Sequence, residues 1–313
     1  MSRAFVFPGQ GSQAVGMGKE LADAFPVARA VFQEVDEALS QNLSQLMFDG
    51  PESELTLTAN AQPALMAVSL AVTRVLESEG GFALTDKCDL VAGHSLGEYS
   101  ALAAAGTFGI ADAARLLKTR GQAMQAAVPV GIGAMAALLG LSFDETVAVA
   151  EAAAQGDVCA AANDNADGQV VVSGHKAAVE RAMELAKEKG AKRAILLPVS
   201  APFHCSLMQP AADAMAVALS QVTMRNPNKP LVANVTAQKV ADAEEIRDLL
   251  IQQVCGTVRW RESVLYMKTQ GVTDLVEIGA GKVLSGMVRR IDKDMTGSAI
   301  NGPADIEAFL AAL

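Results

Sequence analysis

The stretch DLVAGHSLGEYSALAAAG, Asp89 to Gly106, decides how the rest of the chain is read. Its first part, DLVAG, is too apolar for a half-exposed strand and reads as a buried parallel one. Its second part, LGEYSALAAAG, reads as a helix and starts almost at once. Ser95 stands at the junction, between Gly93 and Gly97, in a G-x-S-x-G pattern with a strand before it and a helix after it. Those features make a nucleophile elbow, a turn that strains the serine and exposes its hydroxyl, with glycines where a Cβ would clash. The helix N-terminus then offers free N–H groups and the positive end of its dipole to an oxyanion. The plainer alternative is a simple strand-to-helix turn with Ser95 as N-cap; the context on both sides favours the elbow.

Outward from this point, strands and helices alternate. RAFVFPG reads as a first strand closed by Pro8-Gly9, and AQPALMAVSLAVTRVLES as a long helix with Pro63 near its start. IADAARLLKTRGQAMQAA is a helix that follows the elbow helix across GTFG. From Gly131 to Leu197 the pattern changes to β-α-β-β-α-β, the ferredoxin-like order. Its first helix opens with a capping box, Ser142 with Glu145, and VCAAAN and QVVVSG are strands around an NDNADG turn. Later helices surround one more buried strand, TDLVEIG. The expected architecture is α/β: a parallel sheet covered on both faces, formed by residues 1–128 and 198–313, with a small domain inserted at 129–197.

Bulk properties narrow the function. The 313 residues are 51% hydrophobic and 19% charged, so disorder is not expected. Apolar runs are short, and the N-terminus lacks the apolar core of a signal peptide, so no membrane span or export is expected. The four cysteines (Cys88, Cys159, Cys205, Cys255) form no CxxC pair. That argues against a zinc site or disulfide framework and suits a reducing, cytoplasmic setting. A net charge of −10 with no basic block makes nucleic acid an unexpected partner.

A nucleophilic serine needs a base, and the chain has three histidines. His94 adjoins Ser95 and cannot easily turn its ring onto that hydroxyl. His175 opens a charged helix and reads as a solvated residue. His204, in PVSAPFHCSLM, remains as the base. No carboxylate stands out to hold it, so an amide or backbone carbonyl is the alternative orienter. Roughly a third of the chain follows His204, a poor fit to an ordinary esterase.

Arg120 poses a separate question. It falls on the apolar stripe of its helix with Ile110, Ala113, Leu117, Met124 and Ala127, and no acid lies within four residues of it. A buried guanidinium needs a partner, either a distant structural carboxylate or the carboxylate of an anionic acyl substrate. Two other Gly-rich loops, FPGQGSQAVGMG and EIGAGKVLSG, lack phosphate-binding spacing and read as tight turns placed to line a cleft.

Taken together, FVFPGQGSQ, GHSLGEYSAL, RG-x-x-M at Arg120, NDNADGQVVVSG, PVSAPFHCSLM, QQV…VRW and EIGAGKVLSGMV resemble malonyl-CoA:acyl carrier protein transacylases of type II fatty acid synthesis, over nearly the whole chain. The resemblance implies an α/β-hydrolase-like core with a ferredoxin-like insert. It implies that Ser95 is the acylated nucleophile, His204 the base and Arg120 the holder of the malonyl carboxylate. The backbone N–H groups of Gln10 and Leu96 would form the oxyanion hole, and Gln253 would be the amide supporting the histidine. Phe203, just before His204, departs from the small polar residue of many bacterial members, yet malonyl-selective polyketide acyltransferases often carry Phe there. Malonyl-CoA and acyl carrier protein are the implied partners, with no metal or redox cofactor, and a monomer is expected. An acidic carrier would need basic residues near the cleft; Lys189, Lys192, Arg193, Arg289 and Arg290 are candidates. A serine esterase or thioesterase shares the elbow without needing the buried Arg, and a non-catalytic scaffold would need neither Ser95 nor His204.

Overall fold

The computed structural model describes residues 2–199 and 201–313. In chain order, β1 (Arg3–Phe7) leads through α1 (Lys19–Ala24), α2 (Pro26–Leu39), α3 (Leu43–Asp49) and α4 (Glu52–Leu55) to the long α5 (Thr58–Gly80). Then come β2 (Leu90–Gly93), α6 (Gly97–Ala104) and α7 (Ile110–Ala126). Next are β3 (Gly133–Leu139), α8 (Phe143–Ala154), β4 (Cys159–Ala166), β5 (Gln169–His175), α9 (Lys176–Glu188) and β6 (Arg193–Leu196). The remainder is α10 (Gln209–Ser220), β7 (Leu231–Val232), β8 (Lys239–Val240), α11 (Ala243–Gln253), α12 (Trp260–Thr269), β9 (Asp274–Ile278), α13 (Val283–Ile291), β10 (Thr296–Ile300) and α14 (Pro303–Ala311).

The larger sheet has the order β10-β9-β1-β2-β7-β8. All its pairings are parallel except that of β8 with β7. β1 is apolar on both faces because both faces are covered. Phe5 and Phe7 point into a core with α5 and α7, whereas Ala4 and Val6 pack with Leu90, Ala92, Trp260 and Met287 under α12 and α13. Phe7 pairs with Gly93, so the loops after β1 and β2, carrying Gln10 and Ser95, leave the same edge of the sheet. Ligands bind at that carboxyl edge in open α/β sheets.

The smaller sheet has the order β4-β5-β3-β6 and is antiparallel throughout. α8 and α9 cover one face through Val149, Ala153, Val179 and Ala182, while Met135, Ala162 and Val171 on the other face join the main core. The capping box of Ser142 and Glu145 opens α8 as expected. The contacts that fasten this sheet to the larger unit include two around α12. Val258, just before α12, exchanges main-chain hydrogen bonds with Ala162 and Asp164 of β4. Arg261 of α12 grips the fully buried Asp164 carboxylate, with Nη2 at 2.9 Å.

Several local readings need correction. NDNADG is not a loop; β4 runs through Ala166, and only Asp167-Gly168 turns. Asp164 and Asn165 find partners in Arg261 and His94 of the larger unit instead of water, which helps so polar a run stay extended. α5 begins at Thr58 rather than Ala61, so Pro63 lies inside the helix and leaves the Ala59 carbonyl without its usual donor. Tertiary packing holds that first turn: Gly121 of α7 comes so close that a Cβ there would lie 2.6 Å from the Thr58 carbonyl. The short β7 and β8 and the small-residue β10 carry no strand pattern in the sequence.

Candidate active site

Ser95 has φ 54°, a left-handed conformation that a non-glycine residue adopts only when its surroundings enforce it. Those surroundings can be named. A Cβ on Gly93 would lie 1.9 Å from the Gly97 carbonyl carbon, and one on Gly97 would lie 2.2 Å from the Phe7 carbonyl oxygen. Asn234, after β7, clamps the turn. Its Oδ1 accepts from the Ser95 N–H at 2.8 Å, and its Nδ2 donates to the Gly93 carbonyl at 2.7 Å.

His204 also has positive φ, 58°, and places Nε2 2.8 Å from Ser95 Oγ. Its Nδ1 faces two carbonyls, of Gln253 at 2.9 Å and Gly256 at 3.1 Å. Two acceptors there put the proton on Nδ1 and leave Nε2 free to accept from the serine. Gln253 thus holds the histidine through its backbone, not through its side-chain amide as the resemblance implied. Burial, reinforced by the Arg120 charge, pushes the His204 pKa down to about 3, so the ring is neutral. His94 turns the other way, with Nε2 2.8 Å from Asn165 Oδ1 in β4, and His175 Nδ1 accepts from the Val158 N–H at 2.9 Å.

Arg120 is 1% exposed. Nη1 donates to Gln62 Oε1 at 2.9 Å, and Nη2 to Gln253 Oε1 at 2.8 Å and to Ser95 Oγ at 3.1 Å. Nε has no partner among the described residues, nor does any carboxylate there form an ion pair with the guanidinium. Burial pulls its pKa below the ordinary arginine value. The cation is held by neutral amides and faces the nucleophile.

Ser95, His204 and Arg120 open onto a cavity of about 630 Å³ between the two sheets, with Gln62, Met124, Met135, Val171 and Phe203 in its walls. Gln10 and Leu96 line it too, and neither backbone N–H has a partner among the described residues. The FPGQGSQAVGMG loop reaches the cavity through Gln10, Gly11 and Gln13. The EIGAGKVLSG loop does not; its Gly281 packs on Ser12. Among the described residues, no group of three or more His, Cys, Asp or Glu is arranged to hold a metal, and no helix is long and apolar enough to cross a membrane.

Residues 4–302 match the profile of the acyl transferase domain family. The chain belongs to that family. It is 48% identical over 307 residues to the malonyl CoA-acyl carrier protein transacylase of Escherichia coli K12, spanning 98% of each chain. The transacylase of the same name from Bacillus subtilis is 45% identical over 311 residues, spanning 99% of this chain and 96% of the relative. Among solved structures, the acyl-carrier-protein S-malonyltransferase of Bartonella henselae superposes with a TM-score of 0.97 at 56% identity, over 100% of this chain and 99% of that one. A malonyl-transacylase in complex with its type II polyketide acyl-carrier protein superposes with a TM-score of 0.96 at 45% identity, over 100% of both chains.

Within this acyltransferase three further residues build the site: Asn234, Gln62 and Glu98. Glu98 carried a visible signal, a carboxylate in an otherwise apolar helix turn. It is 1% exposed, and burial pushes its pKa up to about 7. Asn234 and Gln62 carried none, because each meets its partner across a long stretch of chain.

Proposed function

We propose that this chain transfers the malonyl group of malonyl-CoA to the phosphopantetheine thiol of acyl carrier protein, through a malonyl ester on Ser95. The observation that carries the reading is the buried Arg120 cation, in direct contact with no carboxylate among the described residues and 3.1 Å from the nucleophile hydroxyl. An esterase for neutral acyl groups gains nothing from such a cation; an acyl group ending in a carboxylate gains its countercharge.

The steps use the chain's own groups. Neutral His204 takes the Ser95 proton at Nε2 as Oγ attacks the thioester carbonyl. The Gln10 and Leu96 N–H groups stabilise the oxyanion. The C–S bond breaks, CoA leaves with the proton from His204, and malonyl-Ser95 remains. The carrier thiol then gives its proton to His204, attacks the ester, and Ser95 recovers a proton as malonyl-carrier departs. No metal or redox cofactor enters this sequence.

Further parts of the reading concern architecture and docking. The larger unit, residues 1–128 and 198–313, is read as an α/β-hydrolase-like core, supported by the parallel sheet and elbow. Residues 129–197 are read as a ferredoxin-like insert, supported by the strand order β4-β5-β3-β6. For the carrier, the basic residues fall into one neighbourhood. Arg290 donates to Gln169, which pairs with Leu139, which pairs with Arg193. Lys189 and Lys192 precede Arg193, and Arg289 precedes Arg290.

The test is intact-protein mass after mixing with malonyl-CoA. A malonyl adduct on Ser95, absent in Ser95→Ala and discharged by the carrier thiol rather than by water, is expected. An adduct that persists in Ser95→Ala, or that water removes faster than the thiol, would overturn the reading.

A further inference from the structure

Arg120 owes its pose to an amide, and the amide owes its pose to Glu98. Glu98 lies in α6, one turn beyond Ser95, and when ionised both of its oxygens only accept. Oε1 takes the Asn234 N–H at 3.3 Å, and Oε2 takes Gln253 Nε2. The same Gln253 Nε2 donates to the Ser95 carbonyl at 2.9 Å, and Gln253 Oε1 accepts from Arg120 at 2.8 Å. Flipping that carboxamide would set its oxygen against two oxygens and its NH₂ against the guanidinium. One carboxylate thereby fixes which way the amide points.

We propose that Glu98 is a positioning residue for acyl-group selection, holding Arg120 through the Gln253 carboxamide so that the cation is aimed at Ser95 yet keeps its fork open to a substrate carboxylate. The proposal rests on the reading of Arg120 as the holder of that carboxylate. Had Glu98 touched Arg120 directly, it would occupy the donors that an incoming carboxylate needs. With no anion nearby, the buried guanidinium would stand uncompensated. An amide between the two charges, with its oxygen toward the cation and its N–H toward the anion, links them without contact.

The experiment compares kcat/KM for malonyl-CoA and acetyl-CoA in wild type, Glu98→Gln and Arg120→Ala, with a thermal melt of each. Glu98→Gln keeps the shape but removes the acceptor-only group. The malonyl-to-acetyl ratio should fall by about 10- to 100-fold, the scale of a catalytic group misplaced by about an ångström, and the loss should lie chiefly in KM for malonyl-CoA. An unchanged ratio would overturn the proposal. A raised ratio would too, since it would make Glu98 a competitor of the substrate. If Arg120→Ala leaves the ratio intact, the reading of Arg120 itself fails; if only Glu98→Gln does, that reading stands and this one falls.

Wild type provides a second test that needs no folded variant. Glu98 faces Arg120 from α7, Tyr99 on its own helix, and the neutral Asn234 and Gln253, with His204 farther off beyond Ser95. His204 is held neutral down to about pH 3, burial keeps Tyr99 protonated, and Arg120 stays charged. Between pH 5 and 8 Glu98 alone of these titrates, near pH 7. Protonation turns it from acceptor to donor against Gln253, so the malonyl-to-acetyl ratio should fall as the pH drops through 7. A ratio that instead rises as the pH falls would overturn the proposal.

Discussion

Replacing Asn234 with Ala tests whether the elbow is held by its clamp or by the glycines alone. The side chain satisfies two buried main-chain groups, the Ser95 N–H at 2.8 Å and the Gly93 carbonyl at 2.7 Å. Leaving a buried polar group unsatisfied costs ~1–3 kcal/mol, so the pair amounts to about 2–6 kcal/mol of folding stability. That is a large share of the ~5–15 kcal/mol of a typical domain, so the variant is best assayed in the cold. The kinetic effect has a separate origin. Ser95 sits at φ 54°, and relaxing that angle swings Oγ away from its 2.8 Å contact with His204. A misplacement of ~1 Å costs on the order of a hundredfold in rate. Urea unfolding gives the first quantity, and rapid-quench intact mass after malonyl-CoA addition gives the second. Asn234→Asp separates the two bonds: it keeps the acceptor for Ser95 and sets an oxygen against the Gly93 carbonyl. It should lose stability like Asn234→Ala but acylate faster than that variant. Wild-type unfolding and acylation in Asn234→Ala would refute the argument.

Arg120→Ala should lower the malonyl-to-acetyl ratio of kcat/KM by roughly two to three powers of ten, as expected for a buried charge deprived of its ~3–5 kcal/mol partner; steady-state kinetics with both thioesters checks it. Because the His204 pKa is held down to about 3, acetylation of Ser95 should stay near its neutral rate down to about pH 4, where an ordinary imidazole base would fade near 6.5. The same depressed pKa contributes stability that is complete above about pH 6.5 and lost as the pH falls toward 3, read as a declining Tm. Gly97→Ala should fail to accumulate as folded protein, since its Cβ would lie 2.2 Å from the Phe7 carbonyl; a soluble, cooperative melt would contradict this. Reversing the charges of Lys192, Arg193 and Arg290 should slow discharge to the carrier but not loading from malonyl-CoA, with an effect that shrinks as salt rises.

The parts of the site that the sequence discloses are those written locally. The elbow is legible because strand, glycines and helix are contiguous, and Arg120 because it breaks an apolar stripe on a single helix. His204 is legible only because the chain has so few histidines. The parts that stay hidden arise from approach across the fold. Asn234 follows a two-residue strand, too short to carry a period. β10, TGSAI, is small and mostly exposed. The NDNADG segment looks like a turn because its partners Val258, Arg261 and His94 are remote in sequence, and nothing local signals that they will satisfy its polar groups. Gln253 was found by position but not by atom: a sequence names a side chain and is silent on which main-chain carbonyl will point at an imidazole.

The stitching of β4 to Val258, with the Asp164 and Arg261 pair beside it, has a consequence for traffic. The two sheets that bound the cleft are joined there by one bridge of two main-chain hydrogen bonds, with a buried ion pair beside it, which ties them together on that side. Ser95, His204 and Arg120 share one chamber of about 630 Å³. Under the acyl-transfer reading, donor and acceptor must therefore queue for a single doorway, and each obstructs the other while inside. Excess carrier should then inhibit by parking in unloaded protein, and free CoA should do the same to the malonyl form.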